Sequence, residues 1–188
     1  MPLFPIVQIV YWLSLSTWFG GVLSLVVAAP IIFRTVKEHN PVLPSVLSVN
    51  LESQHSTLLA GSIVARLLQM LGPVELWCAG GLFLGLLGQW FLVDLRSSSQ
   101  LAPMILRSAL FLAAVGLAAY DWRMVSPRVW QYRKQYIDHA DEPDVANPAK
   151  EQFDRYHRES VTLLSVILCL LLGIILFSGN ISGARAIF

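Results

Sequence analysis

Two histidines precede apolar stretches of the sequence, and their imidazoles are the groups best suited to bind a cofactor. His55 lies within LESQHSTLLAG (51–61), and His157 lies within FDRYHRESVTLL (153–164). If both stretches open membrane helices on the same side of the bilayer, the two rings lie at a similar height. They could then serve as the axial ligands of a b-type haem.

Two other interpretations of these histidines are open. With Glu52, Asp154 or His139 they could instead hold a divalent metal ion, since imidazole and carboxylate groups are common ligands of such ions. A histidine just before a membrane span is also a common interfacial residue that hydrogen-bonds its neighbours. We favour this third interpretation, a structural polar network.

The sequence shows no motif for enzyme catalysis. It contains no nucleophile elbow, no phosphate-binding loop and no HExxH zinc motif. The two cysteines, Cys78 and Cys169, lie inside apolar runs without a CxxC partner, which is typical of small core residues. The chain is therefore predicted to be non-enzymatic.

The composition indicates an integral membrane protein. Of the 188 residues, 55% are hydrophobic and 13% are charged, and the mean hydropathy is +0.61. A membrane-spanning helix needs about 20 mostly apolar residues, and the sequence offers such runs at about 7–33, 73–95, 101–120 and 161–178. The prediction is an all-α, four-transmembrane-helix bundle that occupies residues 1–188 as a single domain.

Helices 2–4 are expected to continue beyond the membrane into the cytoplasm. Residues 58–95 would extend about 57 Å as one helix. A kink is expected at GPVE (72–75), because Pro73 interrupts the helical hydrogen-bond ladder. A helical hairpin is predicted over about 121–160, with its turn at HADEPDVANP (139–148). Its first arm has an apolar stripe at helical spacing: Val125, Val129, Tyr132 and Tyr136.

The distribution of basic residues predicts the orientation in the membrane. Loops 1 and 3 contain Arg34, Lys37, Arg123, Arg128, Arg133, Lys134, Lys150, Arg155 and Arg158, whereas the opposite side has only Arg96 and Arg185. The positive-inside rule places loops 1 and 3 in the cytoplasm and both termini outside a cell (inner) membrane. Because the basic residues of loop 3 are interleaved with acids, no nucleic-acid partner is expected.

Several polar residues lie inside or beside the apolar runs. Arg107 is six residues into the third span, and Gln89 and Asp94 lie at a similar depth on helix 2, so the arginine has candidate internal partners. The alternative is that its long side chain extends outward to the membrane surface. Glu75 is expected at the cytoplasmic interface.

Small residues on helix 2 predict close helix packing. Gly81 and Gly85 form a GxxxG pair, and Gly88 lies near the same face. Without a hydrophobic driving force between helices in lipid, such residues let two backbones approach. We expect contacts within the bundle, with a homodimer interface as the alternative.

The second histidine segment is expected to turn one face inward. On a helix, Phe153, His157 and Ser160 share a face through their i, i+4, i+7 spacing. His157 is therefore predicted to be mostly buried, with His55 or Gln54 as its hydrogen-bond partner.

Several short motifs together resemble a known family. The pattern W-x-G-G, then Pro and Phe, then Ala-Gly, then F-x-x-x-H-x-x-S is similar to that of the four-helix membrane proteins that include transmembrane protein 205. The matching residues are Trp18, Gly20, Gly21, Pro30, Phe33, Ala60, Gly61, Phe153, His157 and Ser160. The resemblance implies a four-helix membrane fold but no established biochemical activity, although one member is associated with resistance to platinum compounds. The W-x-G-G start is also distantly similar to copper-resistance membrane proteins, which implies a link to metals.

Two functions are consistent with these observations. The first is a small transport or resistance factor, or an accessory subunit of a larger membrane complex, with the lipid bilayer and other membrane-protein subunits as partners. The second is a haem- or metal-binding membrane redox protein that uses His55 and His157.

Overall fold

The computed structural model describes residues 3–39, 41, 54–92 and 98–179, and nearly all of them are helical; the longest break is the turn at 139–142. No strand is present in these ranges, and the predicted all-α four-helix bundle is confirmed. The regular elements are α1 (Leu3–His39), α2 (His55–Leu92), α3 (Ser98–Tyr120), a π-helical turn (Asp121–Val125), α4 (Ser126–Asp138) and α5 (Pro143–Ser178).

Four helical stretches are long and apolar enough to cross a membrane: α1, α2, α5, and the stretch Leu101–Asp138 that contains most of α3 together with α4. Each has 36 to 38 residues, or about 55 Å at 1.5 Å per residue, whereas the hydrocarbon core is about 30 Å thick. Helices 2–4 therefore extend past their apolar runs as predicted. The first helix also does so, because α1 continues to His39 rather than ending near residue 33.

The chain divides into two compact units, and each long helix contributes to both. Unit 1 contains the described parts of Met1–Val22, Leu71–Ala118 and Ser165–Phe188. Unit 2 contains those of Leu23–Met70 and Ala119–Leu164. The core of unit 1 is filled by large side chains that include Trp18, Tyr11, Leu15, Leu82 and Leu171. The core of unit 2 is built from smaller residues, among them Ala60, Val125, Ala146 and Ala149.

The glycines of helix 2 pack against α1 inside unit 1. A Cβ atom placed on Gly85 would lie 2.8 Å from Cβ and 3.0 Å from Cα of Tyr11. A Cβ atom on Gly88 would lie 2.7 Å from Cγ1 of Val7, and Gly81 faces Ser14 just as closely. The predicted contact within the bundle is confirmed, so this glycine face is not available for a homodimer.

The turn of the hairpin is shorter than predicted. It ends before Pro143, where α5 begins, and the amides of Val145 and Ala146 both donate to the carbonyl oxygen of Glu142 at 2.9 Å. Proline suits the first position of a helix because its missing N–H would be unpaired there anyway. The expectation that the turn reaches residue 148 was wrong, because α5 accommodates Pro148 within its first turns.

Candidate functional site

The two histidines singled out by the sequence have unlike environments. His55 opens α2 and is buried, with 8% of its surface exposed. The imidazole of His157 is exposed and stacks on the ring of Phe153 one turn earlier, with ring centroids 5.5 Å apart. The prediction that His157 is mostly buried was therefore wrong.

The orientation of α5 explains the exposure of His157. Tyr156, not His157, faces α4, where its ring stacks on Tyr132 at 5.7 Å with the planes 5° apart. The guanidinium of Arg128 lies over the same Tyr156 ring at 5.2 Å. A flat aromatic side chain buries more apolar surface than an imidazole, so this pair sets the rotation of α5 and leaves His157 beside the contact.

Gln54, one of the two predicted partners of His157, has a different partner. Gln54 Oε1 accepts a 2.6 Å hydrogen bond from the hydroxyl of Tyr136, a residue of the predicted stripe on α4. Within the described ranges, no group of three or more His, Cys, Asp or Glu side chains is arranged to hold a metal ion. Glu52, one of the suggested ligands, lies outside the described residues.

A buried polar cluster lies in unit 1 and draws one side chain from each of four helices. We call it the arginine cluster. It consists of Tyr11 from α1, Gln89 from α2, Arg107 from α3 and Ser178 from α5. None of these residues is more than 3% exposed. Polar groups are rarely buried in apolar helices, and those that are usually have a specific role.

Arg107 is the centre of this cluster. Its Nη1 donates to Gln89 Oε1 at 3.0 Å, and its Nε donates to the carbonyl oxygen of Pro103 at 3.3 Å. The ring of Tyr11 lies 5.9 Å from its guanidinium carbon. With only 1% of its surface exposed, Arg107 does not extend outward to the membrane surface. Gln89 is thus its internal partner, as the similar depth of the two residues in the sequence predicted.

Tyr11 and Ser178 form the second half of the cluster. Their hydroxyl oxygens are 2.6 Å apart. Because the Ser178 hydroxyl donates its proton to the carbonyl oxygen of Ile174, Tyr11 is the donor in this pair. Sequence reasoning missed both residues, since a single tyrosine or serine in an apolar run has no spacing signal that distinguishes it from a lipid-facing residue.

The cluster contains more hydrogen-bond donors than acceptors. The Nε2 atom of Gln89 is buried and has no hydrogen-bond partner among the described residues. The described residues form two ion pairs, and neither of them involves Arg107. Asp94, the other partner suggested by depth, lies outside the described residues.

Of the other residues singled out by the sequence, Trp18, Glu75 and Gly21 lie at helix contacts in unit 1. Trp18 is 1% exposed, and its Nε1 donates to Glu75 Oε1 at 3.2 Å. A Cβ atom on Gly21 would lie 2.8 Å from Cδ1 of Leu71, whereas Gly20 has open space around it. In unit 2, Ser160 is half-buried.

A polar contact in unit 2 was not anticipated. Arg133 of α4 donates through Nη2 to the hydroxyl of Ser62 at 2.8 Å and to the carbonyl oxygen of Leu58 at 3.3 Å. The same nitrogen lies 3.7 Å from the position of a Cβ atom on Gly61. The small Ala60–Gly61 pair therefore lies where α2 meets a long basic side chain.

Comparison of the chain with protein-family models, with curated proteins and with solved structures finds no match in any of the three.

Proposed function

We propose that this chain is a non-enzymatic, multi-pass membrane protein that acts as an accessory subunit of a larger membrane complex. The observation that carries the proposal is that its buried polar side chains pair with one another between helices. Tyr11 pairs with Ser178, Gln89 with Arg107 and Trp18 with Glu75, each time between two helices. Such pairs hold helices in one register, which a subunit needs when it presents a fixed surface to a partner.

The surface available to a partner is the exposed side of α4. None of its 13 residues is buried. Gln131 and Lys134 are exposed on this helix, while Tyr132 and Tyr136 make the contacts that hold it in unit 2. We call the exposed residues of α4 the hairpin surface. A polar helix that is well anchored yet buries no residue is suited to contact another subunit.

Site-specific photo-crosslinking tests this role. A benzoyl-phenylalanine placed at Gln131 or Lys134 should give discrete protein adducts in native membranes. The matched control is Phe91, which is 85% exposed on the apolar helix α2 and should crosslink to lipid without a protein adduct. Equal adduct patterns from the hairpin surface and Phe91, or none from either, would contradict an accessory role.

The absorption spectrum of the purified protein distinguishes this role from the redox alternative. A haem bound by His55 and His157 would give a Soret band in the absorption spectrum of detergent-purified protein. The accessory role predicts a colourless sample without stoichiometric metal. A Soret band lost in His55→Ala would replace the proposal with a cytochrome-like function.

We also propose that the chain belongs with the four-helix proteins that it resembles. The support is that several shared residues lie at close helix contacts. Trp18 and Ala60 are buried, Gly21 leaves space for Leu71, and Gly61 lies beside Arg133. A shared pattern that coincides with packing positions is expected when two chains have the same helix arrangement.

The orientation is part of the proposal and has its own test. Both termini are expected outside and the hairpin inside the cell (inner) membrane, because nine basic residues of loops 1 and 3 oppose translocation. In a chain with Cys78 and Cys169 replaced by alanine, a cysteine at position 145 should resist a membrane-impermeant maleimide in intact cells. A cysteine at position 96 should react. The reverse labelling pattern would show that the termini lie inside and the hairpin outside, which contradicts the proposed orientation.

A further inference from the structure

The arginine cluster leaves Gln89 Nε2 without a hydrogen-bond partner, next to a guanidinium that has no ion pair in the described part of the chain. A guanidinium has five N–H groups, and those of Arg107 have two acceptors, Gln89 Oε1 and the Pro103 carbonyl oxygen. Gln89 is 0% exposed, and its Nε2 has no partner. Since the amide oxygen and nitrogen of Gln89 are bonded to the same carbon, the unpaired Nε2 lies beside the guanidinium.

This arrangement selects the charge of a ligand. A buried cation in an apolar environment is strongly unfavourable unless a negative charge accompanies it, and unpaired buried N–H groups require an acceptor. A metal cation would be repelled by the guanidinium. A single water molecule would accept from Nε2 but would add no negative charge to balance Arg107, which has no ion pair among the described residues.

The packing selects the size of the ligand. Tyr11 and Gln89 are 0% exposed, and Arg107 is 1% exposed. The face of the Tyr11 ring lies 5.9 Å from the guanidinium carbon, and the Tyr11 hydroxyl is already paired with Ser178. A site enclosed by side chains that are almost fully buried suits a monatomic anion better than a carboxylate or phosphate ester.

We propose that Arg107 and Gln89 form a binding site for a small halide ion of the chloride type, with Gln89 Nε2 and the guanidinium as its donors. This site does not depend on the accessory role, because it concerns the interior of unit 1. The bound ion neutralises Arg107, so chloride should stabilise the folded protein in a saturable manner.

Equilibrium binding of radioactive chloride to the full chain in nanodiscs of zwitterionic lipid tests the proposal without a variant. We expect saturable binding with one chloride per chain. The melting temperature should also rise in sodium chloride relative to sodium gluconate of the same ionic strength. Absence of saturable binding together with equal melting temperatures in the two salts would overturn the proposal and leave a water molecule at Nε2.

Gln89→Glu locates the site. This nearly isosteric change places a carboxylate beside Arg107, so the chain carries its own counter-ion and should lose at least tenfold in chloride affinity. The matched control is Gln69→Glu, because Gln69 is exposed on the same helix and should retain wild-type affinity. Unchanged chloride affinity in folded Gln89→Glu would refute the assignment. If that variant does not fold, an anomalous bromide peak in crystals of the wild-type protein supports the site when it contacts Gln89 Nε2, and refutes it when it lies elsewhere.

Discussion

Replacing Gly85 by alanine is expected to destabilise the protein by about 1–3 kcal/mol, the usual cost of overpacking a well-packed core. The added Cβ would lie 3.0 Å from the Cα atom of Tyr11, and a backbone atom cannot move aside as a flexible side chain can. Tyr11 also belongs to the arginine cluster, so a shift of α1 at this point would disturb its bond to Ser178 as well.

Gly80→Ala is the matched control for this change. Gly80 lies on the same helix, and a Cβ atom there would meet nothing within 4 Å. Since alanine has a higher helix propensity than glycine by about 0.8–1.0 kcal/mol, this variant should be as stable as the wild type or more stable. Reversible unfolding in mixed detergent micelles measures both variants. Equal stabilities would show that α1 and α2 do not pack closely at Gly85.

Breaking the pair between Arg107 and Gln89 is expected to have the largest effect of any single polar substitution. Gln89→Leu removes the side-chain acceptor of Arg107 and leaves a buried cation with fewer partners. Removing one partner of a buried charged pair typically costs about 3–5 kcal/mol. Arg107→Leu should cost less, about 1–3 kcal/mol, because it leaves a neutral amide unpaired.

The double variant distinguishes this explanation from a general packing defect. With both residues changed to leucine, neither a charge nor an amide remains buried, and the protein should be more stable than the Gln89→Leu single variant. Gln69→Leu combined with Arg107→Leu is the control, because these residues share no partner in the described structure and their effects should add. A double variant whose loss equals the sum of its two single losses would contradict a direct interaction.

A contact between two helices could be predicted from the sequence where it depends on the depth of the residues in the membrane. Arg107 and Gln89 lie at similar distances from the end of a short connection between two apolar runs, so antiparallel helices bring them to one level. The Gly81–Gly85 face, which contacts α1, was predicted from a different signal, the small residues of the GxxxG pair. For Arg107 and Gln89 one coordinate, the height along a helix, was enough.

The rotation of a helix about its own axis could not be predicted in the same way. Phe153, Tyr156 and His157 are close neighbours on α5, and all three are able to face a partner helix. The stacking of Tyr156 on Tyr132 decided which of them does, and it left His157 exposed. A sequence pattern marks a broad face, whereas the fit between two particular side chains selects the angle within it.

The amino-acid sequence by itself determined four long apolar helices, their order and the level of their polar residues, because these follow from the length and hydropathy of each run. Only the tertiary structure brought Tyr11 and Ser178 together, 167 residues apart in the chain, and joined Arg133 to Ser62. These pairs depend on which helices are neighbours and how each is rotated. That arrangement is decided by close packing among all the helices together, because helices in lipid associate through the fit of their side chains rather than through hydrophobicity.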